Sequence, residues 1–213
     1  MKPKTVMLCM MIILSGCNIF KQSTSKMRSI DLFKTYITGD FNNDRQIAEE
    51  IKSGKQLHPK AVHVNRIADH RILNAPKVDG FWILEESYYT KPGQSQVEVK
   101  PYLFLFEAAE DGKVKLTPFA LPKDMDVNLV KNENASLKFD FNTISPSPSF
   151  KPAFYTRKDD KFYINAPNDL PNGMKFTLIE TISSTQLIVM ELLEKDGKKL
   201  TPYETPIVYD RVK

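Results

Sequence analysis

The residues whose types could do chemistry crowd into one stretch, Asp79–Glu107, DGFWILEESYYTKPGQSQVEVKPYLFLFE. It holds the adjacent carboxylates Glu85 and Glu86, the sole tryptophan, Trp82, and the phenols of Tyr88, Tyr89 and Tyr102. A carboxylate in an apolar enclosure has its pKa raised and can hold a proton or receive a cationic group. Aromatic faces carrying hydroxyls suit a flat, largely apolar ligand. The expected ligand-binding set is therefore Glu85, Phe81, Trp82, Tyr88 and Tyr102. The alternatives are a solvated or cross-paired Glu and plain wall packing. No catalytic residue stands out, because the hydroxyl-rich Ser145–Ser149 has no nearby base. His58, His63 and His70 invite a metal or haem reading, but their spacing guarantees no convergence and no metal site is expected.

The stretch that positions these groups reads as two long strands joined at Lys91-Pro92-Gly93-Gln94, rich in aromatic and β-branched residues. The two-residue period puts Phe81, Ile83, Glu85, Ser87 and Tyr89 on one face and Trp82, Leu84, Glu86 and Tyr88 on the other. Glu85 and Glu86 therefore point apart and form no dyad. Both faces are largely apolar, which predicts a wall with an interior on one side and a covering element on the other.

The N-terminus carries an address. Lys2 and Lys4 precede an apolar run from Val6 to Leu14, too short to span a bilayer and laid out as a signal peptide. Leu14-Ser15-Gly16-Cys17 resembles a bacterial lipobox, which implies cleavage before Cys17 and its acylation. The expected organisation is a signal peptide over 1–16, a lipidated tether over 17–26 and a single domain over 27–213. The lipid bilayer becomes a partner through Cys17. Asn18, in place of the Asp that retains enterobacterial lipoproteins at the inner membrane, favours an outer-membrane location facing the periplasm. With Lys2 and Lys4 removed, 30 basic residues against 26 acidic leave a charge near +2, so no nucleic-acid partner is expected. Cys9 leaves with the signal peptide, so the domain has no disulfide or cysteine nucleophile.

Along the domain, Ser29-Ile30-Asp31 opens a helix with Ile30, Phe33 and Ile37 on one face and Gly39 as its stop. A second short helix covers Arg45–Lys52. After Lys60 the chain reads as strands: Ala61–Ile67, the long hairpin, Val114–Leu121, Ser136–Phe141, Lys161–Asn165, Lys175–Ile182, Thr185–Glu194 and a closing strand near Pro206–Val212. The proline-rich Ser145–Pro152 reads as a rim loop. The expected fold is mainly β: an antiparallel barrel or sandwich of about eight to ten strands with one or two short N-terminal helices.

Several stretches carry a resemblance. Trp82-Ile83-Leu84-Glu85-Glu86-Ser87-Tyr88 resembles the aromatic-apolar-apolar-Glu-Gln-Ala-Tyr signature of the CpcT/CpeT family of phycobiliprotein chromophore lyases. Ile37-Thr38-Gly39-Asp40-Phe41-Asn42-Asn43, followed by Gln46 and Ala48, is similar to the family's opening pattern. Pro101-Tyr102 and Phe119-Ala120-Leu121 match in order, and the likeness is best over Leu32–Leu121. The resemblance implies a calycin barrel, related to lipocalins, and a bilin or other tetrapyrrole as the cofactor to consider. The chain departs from the family at Leu103 and Leu105, where members carry arginines, and at Met190–Glu194, where their Asp-Arg-Gly should lie. Arginine is the best recogniser of a propionate, so these departures, with the export signal, weigh against bilin transfer. Arg66, Arg71 and Arg157 are the candidates to replace the lost cations. Three functions follow: a membrane-anchored barrel binding an apolar or tetrapyrrole-like small molecule, a chromophore lyase, or an envelope interaction protein with a filled barrel.

Overall fold

The computed structural model describes residues 27–213; the expected signal peptide, Cys17 and the expected tether lie outside the described residues. Ten antiparallel strands form a closed barrel. They are β1 (Gly39–Asn42), β2 (Lys60–Ile67), β3 (Gly80–Thr90), β4 (Val97–Ala108) and β5 (Val114–Ala120). The second half is β6 (Ala153–Lys158), β7 (Lys161–Leu170), β8 (Met174–Ile182), β9 (Gln186–Lys195) and β10 (Ile207–Arg211). Each strand pairs with its neighbours in the chain, and β10 returns to β1 with Phe41 opposite Arg211. The barrel is thus an up-and-down meander, which leaves no sheet edge exposed over its closed length.

Helix α1 (Ser29–Ile37) plugs one end. Ile30, Phe33 and Ile37 recur at three and four residues, so one face is apolar and enters the barrel. Phe33 is fully buried, with its ring centroid 5.0 Å from Phe106, 4.7 Å from Tyr155 and 5.0 Å from Phe162. The helix ends against Arg211, whose guanidinium donates to the carbonyls of Thr35, Tyr36 and Thr38. These include carbonyls a helix C-terminus leaves without partners, and a cation suits the negative end of the dipole. The second helix, α2 (Asp44–Lys52), lies outside the wall, where Gln46 bridges to the Pro206 carbonyl and the Val208 amide.

The outer face of β3 and β4 is covered as well. Trp82, Leu84, Leu103 and Leu105 pack beneath Val130, Leu137, Phe139 and Ile144 of the long β5–β6 connection. Two polar clamps hold that cover. Glu86 accepts from the Asn132 amide at 2.6 Å, and Arg71 donates to the carbonyls of Asn132 and Asn134 at 2.7 and 2.6 Å.

Three expectations change. Ser136–Phe141 is not a barrel strand: only Phe139–Asp140 is extended, paired in parallel with Ile72–Leu73. Its alternating apolar residues face Trp82 from outside, and a covering loop over an apolar wall produces the same pattern as a strand. Ala153–Lys158 is a strand that the proline-rich run before it obscures. The Lys161 strand continues through Pro167 to Leu170. Its β6 partner ends opposite Tyr163, so Pro167 lies beyond that pairing, on a stretch that is bonded on the β8 side alone.

Gly39 links α1 to β1 at φ +139°, and a Cβ there would lie 2.4 Å from Arg211 Nη1. Gly39→Ala should destabilise the domain by about 1–3 kcal/mol, from backbone strain and loss of the guanidinium clamp. Chemical denaturation measures this, and an unchanged midpoint would contradict the clamp.

Candidate functional site

The interior behind α1 is hollow. A cavity of about 350 Å³ runs from Ile37 and Tyr155 toward Lys100, Lys151, Phe150 and Phe176. Its walls are mostly apolar, including Phe104, Phe106, Leu116, Leu178 and Val189. Besides the two lysines, one histidine and three carboxylates line it: His63, Glu85, Glu180 and Glu191.

His63 and Glu85 come from neighbouring strands. Register places Asn65 opposite Glu85 and His63 opposite Ser87, so the imidazole and the carboxylate are diagonal neighbours on the inner face. His63 Nδ1 lies 3.2 Å from Glu85 Oε1. The contact is ionic, since the ring N–H is not aligned for a hydrogen bond. Ser87 Oγ donates to the same oxygen at 2.8 Å. On the far side of the ring, Nε2 is 3.0 Å from the Tyr209 hydroxyl and 3.3 Å from that of Tyr89. His63 is 6 % exposed and Glu85 9 %. Burial opposes both charges, yet the Glu85 carboxylate holds His63 above its usual value. The reciprocal attraction of His63, with Ser87 and Asn65, holds Glu85 below its own despite the same burial. With the proton on the imidazole, the two groups form a buried ion pair.

The other two carboxylates form no ion pair among the described residues. Glu180 accepts from the Tyr155 hydroxyl at 2.7 Å, and burial, reinforced by the charge of Glu85, pushes its carboxyl up to about 7. Glu191 also titrates above its usual range because of burial. Its side chain makes no hydrogen bond or ion pair among the described residues. Burial likewise lifts the Tyr89, Tyr155 and Tyr209 phenols well above their usual range.

Of the expected ligand-binding set, Glu85 and Tyr102 line the cavity, and so do Tyr89 and His63, which the sequence also singled out. Phe81 is on the inner face but stacks behind Phe106 near α1, at 5.4 Å. Trp82 and Tyr88 do not belong to the cavity wall. Strand alternation turns them outward, Trp82 beneath the covering loop and Tyr88 donating to Glu86. Leu103 and Leu105 also point outward, so their difference from arginine changes the cover and not the cavity. Arg71 clamps the loop, Arg66 pairs with Asp40 at 2.6 Å, and Arg157 donates to the Met27 and Asp159 carbonyls. None of the three lines the cavity. The histidines occupy three different surroundings. His58 is buried against Glu50 and donates to the Thr205 carbonyl, His63 is interior, and His70 is exposed.

Sequence reasoning missed Glu180 and Glu191. Both sit in strands whose two faces are of mixed character, so inside and outside are not separable by alternation. The signal present was each Glu's position two residues from apolar groups that face inward, Leu178 and Ile182 for one and Val189 for the other.

No family profile matches the chain and no curated protein does. A solved structure does. The fold is similar to that of the CRL protein of Arabidopsis, with a TM-score of 0.60 at 11 % identity, over 87 % of this chain and 100 % of that one. At that identity the likeness is one of fold, and it fits a calycin-like barrel. No helix among the described residues is long and apolar enough to cross a membrane.

Two measurements probe the charges. His63→Leu leaves Glu85 buried without its counter-ion and should cost about 3–5 kcal/mol, while adding Glu85→Leu should recover most of that loss. Additive losses in the double variant would show that the two groups are not paired. Glu180 binds protons more tightly folded than unfolded, so its contribution makes stability fall as pH rises from 4.5 toward about 7. Glu180→Gln keeps an acceptor for Tyr155 and removes the titration. It should be more stable than wild type by about 1–3 kcal/mol at pH 8 and gain nothing at pH 4. Parallel stability curves for the two proteins would contradict a buried, titrating Glu180.

Proposed function

We propose that the barrel binds a small, largely apolar molecule in its interior and is held at a membrane surface by an acylated Cys17. The observation that carries the ligand reading is the hollow itself. A barrel filled by its own side chains would be the expectation for a purely structural role, whereas this one keeps about 350 Å³ open behind a helical plug. That lies within the roughly 300–1,000 Å³ typical of small-ligand sites, toward the compact end. Apolar walls supply affinity, and the few polar groups orient the ligand. The relation to chromophore lyases rests on the sequence resemblance together with the shared barrel type. A tetrapyrrole is the less favoured ligand, because its two propionates would meet carboxylates and no arginine inside.

The anchor rests on the lipobox Leu14–Cys17, with Asn18 favouring the outer membrane of the cell envelope. Metabolic labelling with a palmitate analogue should mark the wild type and spare Cys17→Ser; equal labelling of both would remove the anchor from the account.

The cavity is tested with the whole chain carrying Cys17→Ser, titrated calorimetrically with 4-phenylbutanol, a neutral molecule with an apolar body. Saturable binding is expected. Ala166→Phe, which places a ring in the cavity, should weaken it at least tenfold while the domain remains folded by melting. Absence of binding to the parent protein would overturn the reading and favour an interaction protein.

A further inference from the structure

The ligand reading above leaves the chemical class of the ligand open, and the charges in the cavity narrow it. Three carboxylates and one imidazole face the interior. The imidazole is committed to Glu85. Two carboxylates then remain, Glu180 with the Tyr155 phenol as donor and Glu191 with no side-chain hydrogen bond or ion pair among the described residues. Glu85 itself is nine-tenths buried, and the hydrogen bond from Ser87 and the approach of His63 both fall on Oε1. Buried acceptors left unpaired cost free energy unless something supplies the missing donors. The two lysines that line the cavity are exposed, and the charge of Lys100 reaches Glu191. Lys100 is exposed and paired with Glu98 at 3.0 Å, and Lys151 is exposed beside Asp169 at 4.0 Å.

We propose that this cavity selects a compact apolar molecule carrying one basic nitrogen, whose cation is seated among Glu85, Glu180 and Glu191. An ammonium offers up to three donors and no acceptor, which complements carboxylate oxygens lacking donors. An amine of ordinary basicity, near that of lysine at ~10.4, takes the proton from a raised carboxyl, so seating it forms an ion pair. In a partly dry interior such a pair is stronger than at the surface. The body of the ligand lies against Phe104, Leu178 and Val189. A carboxylate-bearing molecule is disfavoured in the same place by like charge. The apolar floor and the acidic groups together make the selectivity, which rests on the cavity being a binding site at all.

A matched trio separates the two ideas: 4-phenylbutylamine, 4-phenylbutanol and 4-phenylbutyrate, titrated calorimetrically at pH 7.5 into the whole chain carrying Cys17→Ser. The amine should bind at least tenfold tighter than the alcohol, and the acid more weakly than either. Glu191→Gln, an isosteric change checked by melting, should reduce the amine-over-alcohol ratio at least fivefold; Glu180→Gln should reduce it as well. Equal or weaker binding of the amine, with the alcohol still bound, would overturn the selectivity and leave the cavity reading standing. An unchanged ratio in both variants would overturn the seat. Failure of all three molecules to bind would overturn the cavity reading and this inference with it.

Discussion

An imidazole set against a carboxylate inside a hollow barrel is the interaction on which the rest of the interior depends. Each charge alone would be costly to bury, and breaking such a pair costs several kcal/mol because it strands the survivor. Here the pair is embedded. Ser87 steadies the carboxylate, and Tyr209 and Tyr89 meet the far nitrogen of His63. The Tyr209 contact joins β2 to the closing strand, on the opposite side of β1. The seam where the barrel closes is thus tied by a polar contact inside as well as by the short β1 ladder. The pair also acts on what lies near it: the charge of Glu85 adds to burial in raising the Glu180 carboxyl.

The long hairpin Gly80–Ala108 serves two layers at once, and that dual duty explains its composition. Its inner face gives Phe81, Ile83, Glu85, Tyr102, Phe104 and Phe106 to the plug and the cavity. Its outer face gives Trp82, Leu84, Leu103 and Leu105 to a second apolar cluster under a clamped loop. A strand buried on both sides cannot show a polar face, so its sequence looks uniformly apolar. The carboxylates obey the same division. Glu85 faces the cavity, while Glu86 holds the covering loop through the Asn132 amide.

Much of this arrangement was legible in the residues. Alternation along Phe81–Tyr89 correctly assigned each side chain to a face, and the spacing of Ile30, Phe33 and Ile37 correctly gave the helix. Strand spacing pointed to a mainly β barrel or sandwich, helical periodicity to two short N-terminal helices, and the family resemblance to the barrel. Which face was inner did not follow from alternation, and the expected set Glu85, Phe81, Trp82, Tyr88 and Tyr102 therefore mixed both. The partner of Glu85 was equally hidden, because His63 lies 22 positions away and meets it only through the β2–β3 register. Glu180 and Glu191 are set by closure of the β8–β9 hairpin into the barrel, a tertiary event with no local signature. Leu103 and Leu105 show the same limit: a substitution within a motif acquires meaning only once its side of the wall is known.

The most direct test of a charged pair at the centre of this interior is the protonation state of His63, read by nitrogen-15 and carbon-13 NMR of selectively labelled imidazoles across pH. The ring should be doubly protonated at pH 7 and should titrate above the usual histidine value near ~6.5, with Glu85→Gln bringing it down. A His63 that is neutral at pH 7 and becomes charged only below ~6 would contradict the ion pair and the electrostatic account built on it.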